Sequence, residues 1–230
     1  MAAHSPAREA AARAAVELVE QGMTLGLGSG RALWRVVELL GQRWPGPPPL
    51  RAAVASEETR ERAREAGIEV IELDGEIELD LALDGADQVD AQLRLIKGGG
   101  GALLREKIVV AAARRFVVVA EASKRVGRLG DGYDLPVEVT RFAWPDTARR
   151  LSAVLPGGAV RLDGDGELPY VTDEGHHIID CPIAEDVDLD GLGAHLRGVP
   201  GVLEHGLFAG MAERVLLGGE DGSVEELERP

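Results

Sequence analysis

Cys181 is the only cysteine among 230 residues, so no internal disulfide can form, and a reducing, cytoplasmic setting is expected. Aromatic side chains make up 3% of the chain while 45% of it is hydrophobic, so the core must rest on Ala, Val, Leu and Ile. No apolar run approaches the roughly 20 residues of a membrane span, and no membrane partner is expected. Basic residues are also scarce. Against 40 Asp and Glu stand 25 Lys and Arg, a formal charge of −15 with no basic stripe, which argues against a nucleic-acid partner. That charge is still compatible with a phosphorylated small molecule, because a few local cations and N–H groups outweigh a distant net charge. The Ala- and Arg-rich start carries Glu9, Glu17 and Glu20 and lacks a signal-peptide apolar segment, so it is taken as a helix of the fold.

What is present is concentrated in residues 79–124. LDLALD (79–84) is apolar enough for a parallel strand covered on both faces, and it runs into Asp84-Gly85-Ala86-Asp87. Two carboxylates therefore stand at the C-terminal end of a strand, the edge where open α/β sheets bind ligands. Lys97 then precedes Gly98, Gly99, Gly100 and Gly101, whose bare N–H groups can form an anion-binding nest. A helix is expected next, with Glu106 near its start and Ala102, Leu103, Ile108, Val109 and Ala112 as core positions. Residues 116–120 form the next buried strand, with Lys124 just past it. Each part alone has a plain structural explanation, as a turn, a loop or a dipole-matching Glu. Their recurrence at successive strand ends favours a site.

Elsewhere the pattern is strand alternating with helix: helix 7–21, strand 23–27, helix 32–40, strand 52–55, helix 57–66 and strand 68–73. Gly28, Ser29 and Gly30 belong to a glycine-rich turn between the first strand and its helix, the context in which a loop binds phosphate at a helix N-terminus. It lacks the third glycine of the dinucleotide fingerprint, and no acidic residue ends the next strand, so an oxidoreductase with a nucleotide cofactor is disfavoured. After Lys124 the elements shorten: strands 137–140, 160–162, 170–172 and 177–180, helices 146–154 and 189–196. The prediction is an α/β, doubly wound, mostly parallel Rossmann-like sheet (residues 1–127 and 203–230) with a second, smaller α+β domain (128–202). Residues 202–209 and 214–217 are expected to rejoin the main sheet, and the acidic tail from 219 to fray. His176 and His177 are adjacent on a strand and point to opposite faces, and Asp84 with Asp87 has no further ligands nearby, so no metal is expected.

The central stretch resembles the ribose-5-phosphate isomerase A family, whose hallmarks are a D-G-A-D turn, an I-K-G-G-G run and an R-E-K helix start. Here these are Asp84-Gly85-Ala86-Asp87, Ile96-Lys97-Gly98-Gly99-Gly100 and Arg105-Glu106-Lys107, in the same order and spacing. The likeness extends from about Arg8 to Gly206-Leu207-Phe208-Ala209. The resemblance implies interconversion of D-ribose 5-phosphate and D-ribulose 5-phosphate through an enediolate, in the pentose phosphate pathway and without cofactor or metal. Glu106 would be the base, Lys97 and the glycine-run N–H groups would stabilise the oxygens, and Asp84 and Asp87 would bind hydroxyls and assist ring opening. For the phosphate, Ser29 keeps the family's first hydroxyl and Lys124 its later cation, and Arg8 sits where the early lysine would be. Arg31-Ala32 departs from the family's Ser-Thr pair, placing a guanidinium where hydroxyls are expected. Isomerisation of a related sugar phosphate, or a non-enzymatic sugar-phosphate sensor, are the alternatives. The family also implies a homodimer or homotetramer.

Overall fold

The computed structural model describes residues 5–229. Helix α1 (Pro6–Glu17) starts where the Ser5 hydroxyl accepts from the Arg8 N–H and Pro6 takes the first turn, where no N–H is needed. Strand β1 (Thr24–Leu27), helix α2 (Arg31–Gln42), strand β2 (Arg51–Val54), helix α3 (Glu57–Glu65) and strand β3 (Glu69–Val70) follow. Then come β4 (Leu81–Asp84), β5 (Gln88–Val89), β6 (Leu95–Ile96), α4 (Leu103–Ala111) and β7 (Phe116–Glu121). The remainder comprises β8 (Leu135–Val139), α5 (Trp144–Leu151), β9 (Ala159–Val160), β10 (His177–Cys181), α6 (Leu189–Arg197), β11 (Val202–His205), β12 (Leu207–Phe208), β13 (Arg214–Gly218) and β14 (Val224–Glu228).

The main sheet runs β14-β13-β7-β4-β1-β2-β3, parallel except for β14. Strands β1, β4, β7 and β13 are buried on both faces because helices cover both. Leu25, Leu27, Leu81, Leu83, Val117 and Val119 face one core with α1 and α2, while Ala82, Phe116, Val118, Val215 and Leu217 face the other. Order reverses around β1 and β4, so the loops after these strands and after β7 open onto one crevice. A second, antiparallel sheet runs β11-β8-β10-β9, with α5 and α6 on its core. This is the α/β fold with a smaller α+β part that the alternation of elements predicts.

Several local expectations fail. Helix α1 ends at Glu17 rather than at 21. Residues 170–172 form no strand; Pro169 makes only an isolated bridge to Leu162. β11 joins the second sheet, not the main one, and β12 pairs with β6 in a small three-stranded sheet, whereas β13 does return to the main sheet. Over its described residues, 219–229, the acidic tail does not fray. β14 pairs along all of β13, and Arg214 meets Glu226 and Glu228 at 3.2 and 2.7 Å. On α4, Ile108 is 52% exposed, and Ala102 and Ala112 are only partly buried. Leu103 and Val109 are buried as expected, but Glu106, Lys107 and Val110 extend Leu103 into an i, i+3, i+4, i+7 face, so two charged residues take core positions.

Candidate active site

Asp84 ends β4 and is 1% exposed. Its Oδ1 accepts from the backbone N–H of Ser29 (3.0 Å) and of Gly85 (2.7 Å), which ties the end of β4 to the loop after β1. That contact requires Gly28, where a Cβ would lie 1.8 Å from the Asp84 carboxyl carbon. Gly28 therefore stands behind the carboxylate and donates its N–H to Leu83; it does not line the cavity as the sequence suggests.

Lys97, just past β6, is 3% exposed and lies between two carboxylates. Its Nζ is 2.9 Å from Asp84 Oδ2 and 3.3 Å from Glu106 Oε2, and it donates to the Gly85 carbonyl at 2.8 Å. The Phe208 ring of β12 floors it, 5.6 Å away. Asp84 Oδ2 and Glu106 Oε2 accept no hydrogen bond of good geometry; the ion pairs are their polar company. Burial drives the Glu106 carboxyl up to about 8, helped by the Asp84 charge, and burial likewise raises Asp84. Burial works against the Lys97 ammonium, yet the two facing carboxylates carry it above its ordinary value. The trio is thus a firm cation with two reluctant anions, suited to holding and moving one proton.

Asp87 is half-buried, and its Oδ2 accepts from the Gly99 N–H at 2.8 Å, so that amide serves the carboxylate and not a ligand. Among the described residues the N–H groups of Gly98 and Gly100 have no protein partner.

Lys97, Glu106, Asp87 and the glycine run line a cavity of about 490 Å³. Ser29, Gly30 and Arg31, at the start of α2, line it too, as do Arg8 and Lys124. Gly30 caps α2 with no side-chain bond, leaving the first-turn N–H groups free. The Ser29 hydroxyl shares a hydrogen bond with Ser56 at 3.0 Å. Arg8 is committed to Glu121 at 2.6 Å. Arg31 and Lys124 make no ion pair among the described residues, and Glu38 pairs with Arg35 instead. The structure therefore brings together every residue singled out from the sequence except Gly28 and Asp84, which sit directly behind the wall, and Gly101, whose N–H donates to the Gly98 carbonyl at 3.0 Å. Sequence reasoning missed Trp34, Glu121 and Tyr133. Trp34 lies one turn into α2, and Tyr133 comes from a loop with no motif.

Among the described residues no group of three His, Cys, Asp or Glu could hold a metal ion. His176 binds Glu138 at 2.9 Å and His177 the Tyr170 carbonyl at 2.7 Å, on separate faces. No described helix is long and apolar enough to cross a membrane.

A family model described as ribose 5-phosphate isomerase A (phosphoriboisomerase A) matches residues 51–222. The chain is 49% identical to ribose-5-phosphate isomerase A of Roseiflexus sp. (strain RS-1), over 95% of this chain and 94% of that one. It is 42% identical to the Synechococcus sp. (strain JA-3-3Ab) protein of the same name, over 96% and 97%. The solved structure of ribose 5-phosphate isomerase A from Methanocaldococcus jannaschii superposes with a TM-score of 0.89 at 36% identity, covering 96% of this chain and 97% of that one. A D-ribose-5-phosphate isomerase solved in complex with phospho-erythronic acid superposes with a TM-score of 0.90 at 32% identity, with the same coverage.

Proposed function

The chain belongs to the ribose 5-phosphate isomerase A family, and on that premise we propose that it interconverts D-ribose 5-phosphate and D-ribulose 5-phosphate with Glu106 as the base. The observation that carries this reading is Lys97 held between Asp84 and Glu106 beside a cavity that Arg31 and Lys124, without ion pairs among the described residues, also line; we assign the first group as its chemical end and the second as its phosphate end. A sugar phosphate has the matching polarity: carbonyl carbons at one end, a dianion at the other.

After ring opening, assisted by Asp87, Glu106 takes the proton from C2 of the open-chain aldose. The electrons move into a C1–C2 double bond and the carbonyl oxygen gains the charge, which the Lys97 ammonium and the free Gly98 and Gly100 N–H groups offset. The Lys97 ammonium, held by Asp84 behind it, gives a proton to O1 and takes one from O2, and Glu106 returns its proton to C1, leaving the ketone at C2. A carboxylate pushed up toward the working pH suits this role, because a stronger base abstracts a carbon-bound proton faster. The phosphate lies against the α2 N-terminus, Ser29, Arg31, Lys124 and Arg8. Arg31 adds planar, bidentate recognition that a hydroxyl lacks.

The test is a coupled assay for ribulose 5-phosphate formed from ribose 5-phosphate, run beside other pentose and hexose phosphates. Activity on another sugar phosphate alone would reassign the substrate, and activity on none would leave a binding role. We also place the enzyme in the cytoplasm, where the buried thiol of Cys181 stays reduced. Self-association as a dimer or tetramer is assigned to the region of the second sheet, where Phe142 is 90% exposed; light scattering tests it.

A further inference from the structure

The glycine run has a conformation that glycine's freedom alone does not specify, so something must hold it. The second sheet supplies the hold. Arg161 follows β9, and its backbone is fixed on both sides: its N–H donates to Ile178 (2.8 Å) and its carbonyl accepts from Tyr170 (2.8 Å). Its guanidinium is gripped by Asp180 of β10, with Nε and Nη2 on the two carboxylate oxygens at 2.9 and 2.6 Å. The remaining nitrogen, Nη1, donates to the carbonyls of Gly98 (2.9 Å) and Gly99 (3.0 Å). Tyr170, whose ring lies 6.0 Å from the same guanidinium, donates its hydroxyl to the Gly100 carbonyl at 3.3 Å.

Three successive carbonyls of the run are thus taken from one side. In a trans peptide the N–H points opposite to the C=O of the same unit. Fixing the Gly98 carbonyl aims the Gly99 N–H, which meets Asp87 at 2.8 Å. Fixing the Gly99 carbonyl aims the Gly100 N–H away from Arg161, and Gly100 lines the cavity. A guanidinium on the carbonyl also polarises each peptide and makes its N–H a stronger donor. The arrangement leaves no room for a side chain at Gly99, where a Cβ would lie 2.3 Å from the Tyr133 hydroxyl and 3.0 Å from the Asp87 oxygens.

We propose that Arg161, set by Asp180 and seconded by Tyr170, is a positioning residue for the isomerisation: it turns the Gly99 and Gly100 amides so that one orients Asp87 and the other faces the enediolate oxygens. The second sheet thereby completes the active site of its own chain. This proposal rests on the isomerase reading above.

The test compares Arg161→Met, Arg161→Lys, Asp180→Asn and the Arg161→Met/Asp180→Asn pair. The readouts are kcat and KM for ribose 5-phosphate, and inhibition by two probes, a phosphorylated four-carbon aldonic acid and inorganic phosphate. The carboxylate of the acid imitates the planar, charged enediolate. Arg161→Met is expected to lower kcat/KM by roughly 10²-fold, the scale of a lost oxyanion donor. It should raise Ki for the acid by a like factor and leave Ki for phosphate within about twofold. Loss of folded protein alone lowers apparent kcat but moves neither Ki, so the acid separates positioning from mere stability. Arg161→Lys should recover part of the loss. The double variant should be no worse than Arg161→Met, because Asp180 acts through the guanidinium. Wild-type kcat/KM and Ki in folded Arg161→Met overturn the proposal. If that variant does not fold, wild-type constants in both Arg161→Lys and Asp180→Asn overturn it equally. Wild-type turnover of ribose 5-phosphate separates the two claims: an active wild type with an unaffected Arg161→Met removes the positioning role alone, and an inactive wild type removes both.

Discussion

The two ends proposed for the cavity are built on opposite electrostatic plans. At the chemical end, Asp84, Lys97 and Glu106 are all at most 4% exposed and are paired with one another. At the phosphate end, Arg31 is exposed and Lys124 half-exposed, and neither makes an ion pair among the described residues. The contrast follows from what each end must do. A proton is moved by groups whose affinity for it has been tuned, and tuning requires removal from water. A dianion is gripped by cations that no carboxylate of the protein already occupies. Mutations at the first end should strike kcat, and at the second, KM.

The sharpest test is Glu106→Gln, which keeps shape and removes the base. Turnover should fall by roughly 10²–10⁴-fold or more with KM little changed, as steady-state kinetics will show. A variant retaining a tenth of wild-type kcat would abolish the distinction between the two ends. The same change should raise Tm at neutral pH. Glu106 has a folded pKa of about 8 against an ordinary 4.5, so the stability linked to its proton is fully present below the ordinary value. That stability is lost as pH climbs toward 8, and an uncharged Gln escapes the loss.

Next in size is the pH profile. With the Glu106 carboxyl near 8, kcat/KM should drop by about tenfold per unit on the acid side, beginning well above the ordinary carboxylate range. Lys97→Met should displace that limb further toward alkali, since the ammonium lowers the affinity of Glu106 for its proton. An acid limb near 4.5 in the wild type would mean that burial does not tune the base.

Arg31→Ala probes the exposed end. A hydrogen bond to a charged group contributes roughly 1.5–3 kcal/mol, and solvent screening at an exposed site reduces this, so KM should rise several-fold while kcat holds. The defect should vanish when ribose without its phosphate is the substrate. A kcat defect in its place would show that phosphate binding and chemistry are coupled. Smaller still is the response to salt: between about 0.05 and 0.5 M, KM should rise a few-fold and kcat stay flat, because screening reaches exposed charges and not buried ones. Smallest of all, EDTA should leave activity unchanged. The Lys97 ammonium already occupies the position between Asp84 and Glu106 that a divalent ion would take.

Much of the chemical end was legible in the chain because it is compact in sequence. Asp84, Asp87, Lys97 and Glu106 fall within one strand–loop–helix passage, and each stands at a strand end or helix start that periodicity locates. The parallel sheet was legible too, since strands covered on both faces carry unbroken apolar runs such as FVVVA in β7. Arg31 was visible as a departure from a familiar pattern.

Only the tertiary structure decided the rest, and the reason is the same in each case: the partner is remote in the chain. Glu106 and Lys107 take a core face of α4 because Lys97, Phe208 and the carbonyls of His205 and Leu207 lie there to receive them. β14 holds its acidic residues because Arg214 stands on the neighbouring strand and Arg125 meets Glu225 at 2.6 Å. Arg161, 62 residues from Gly99, is invisible as a site residue until β9 and β10 carry it to the glycine run. Sequence by itself determined which groups the proposed chemistry would use and the sheet that presents them. Their protonation, and the direction in which the glycine amides point, depend on burial and on contacts that no local pattern encodes.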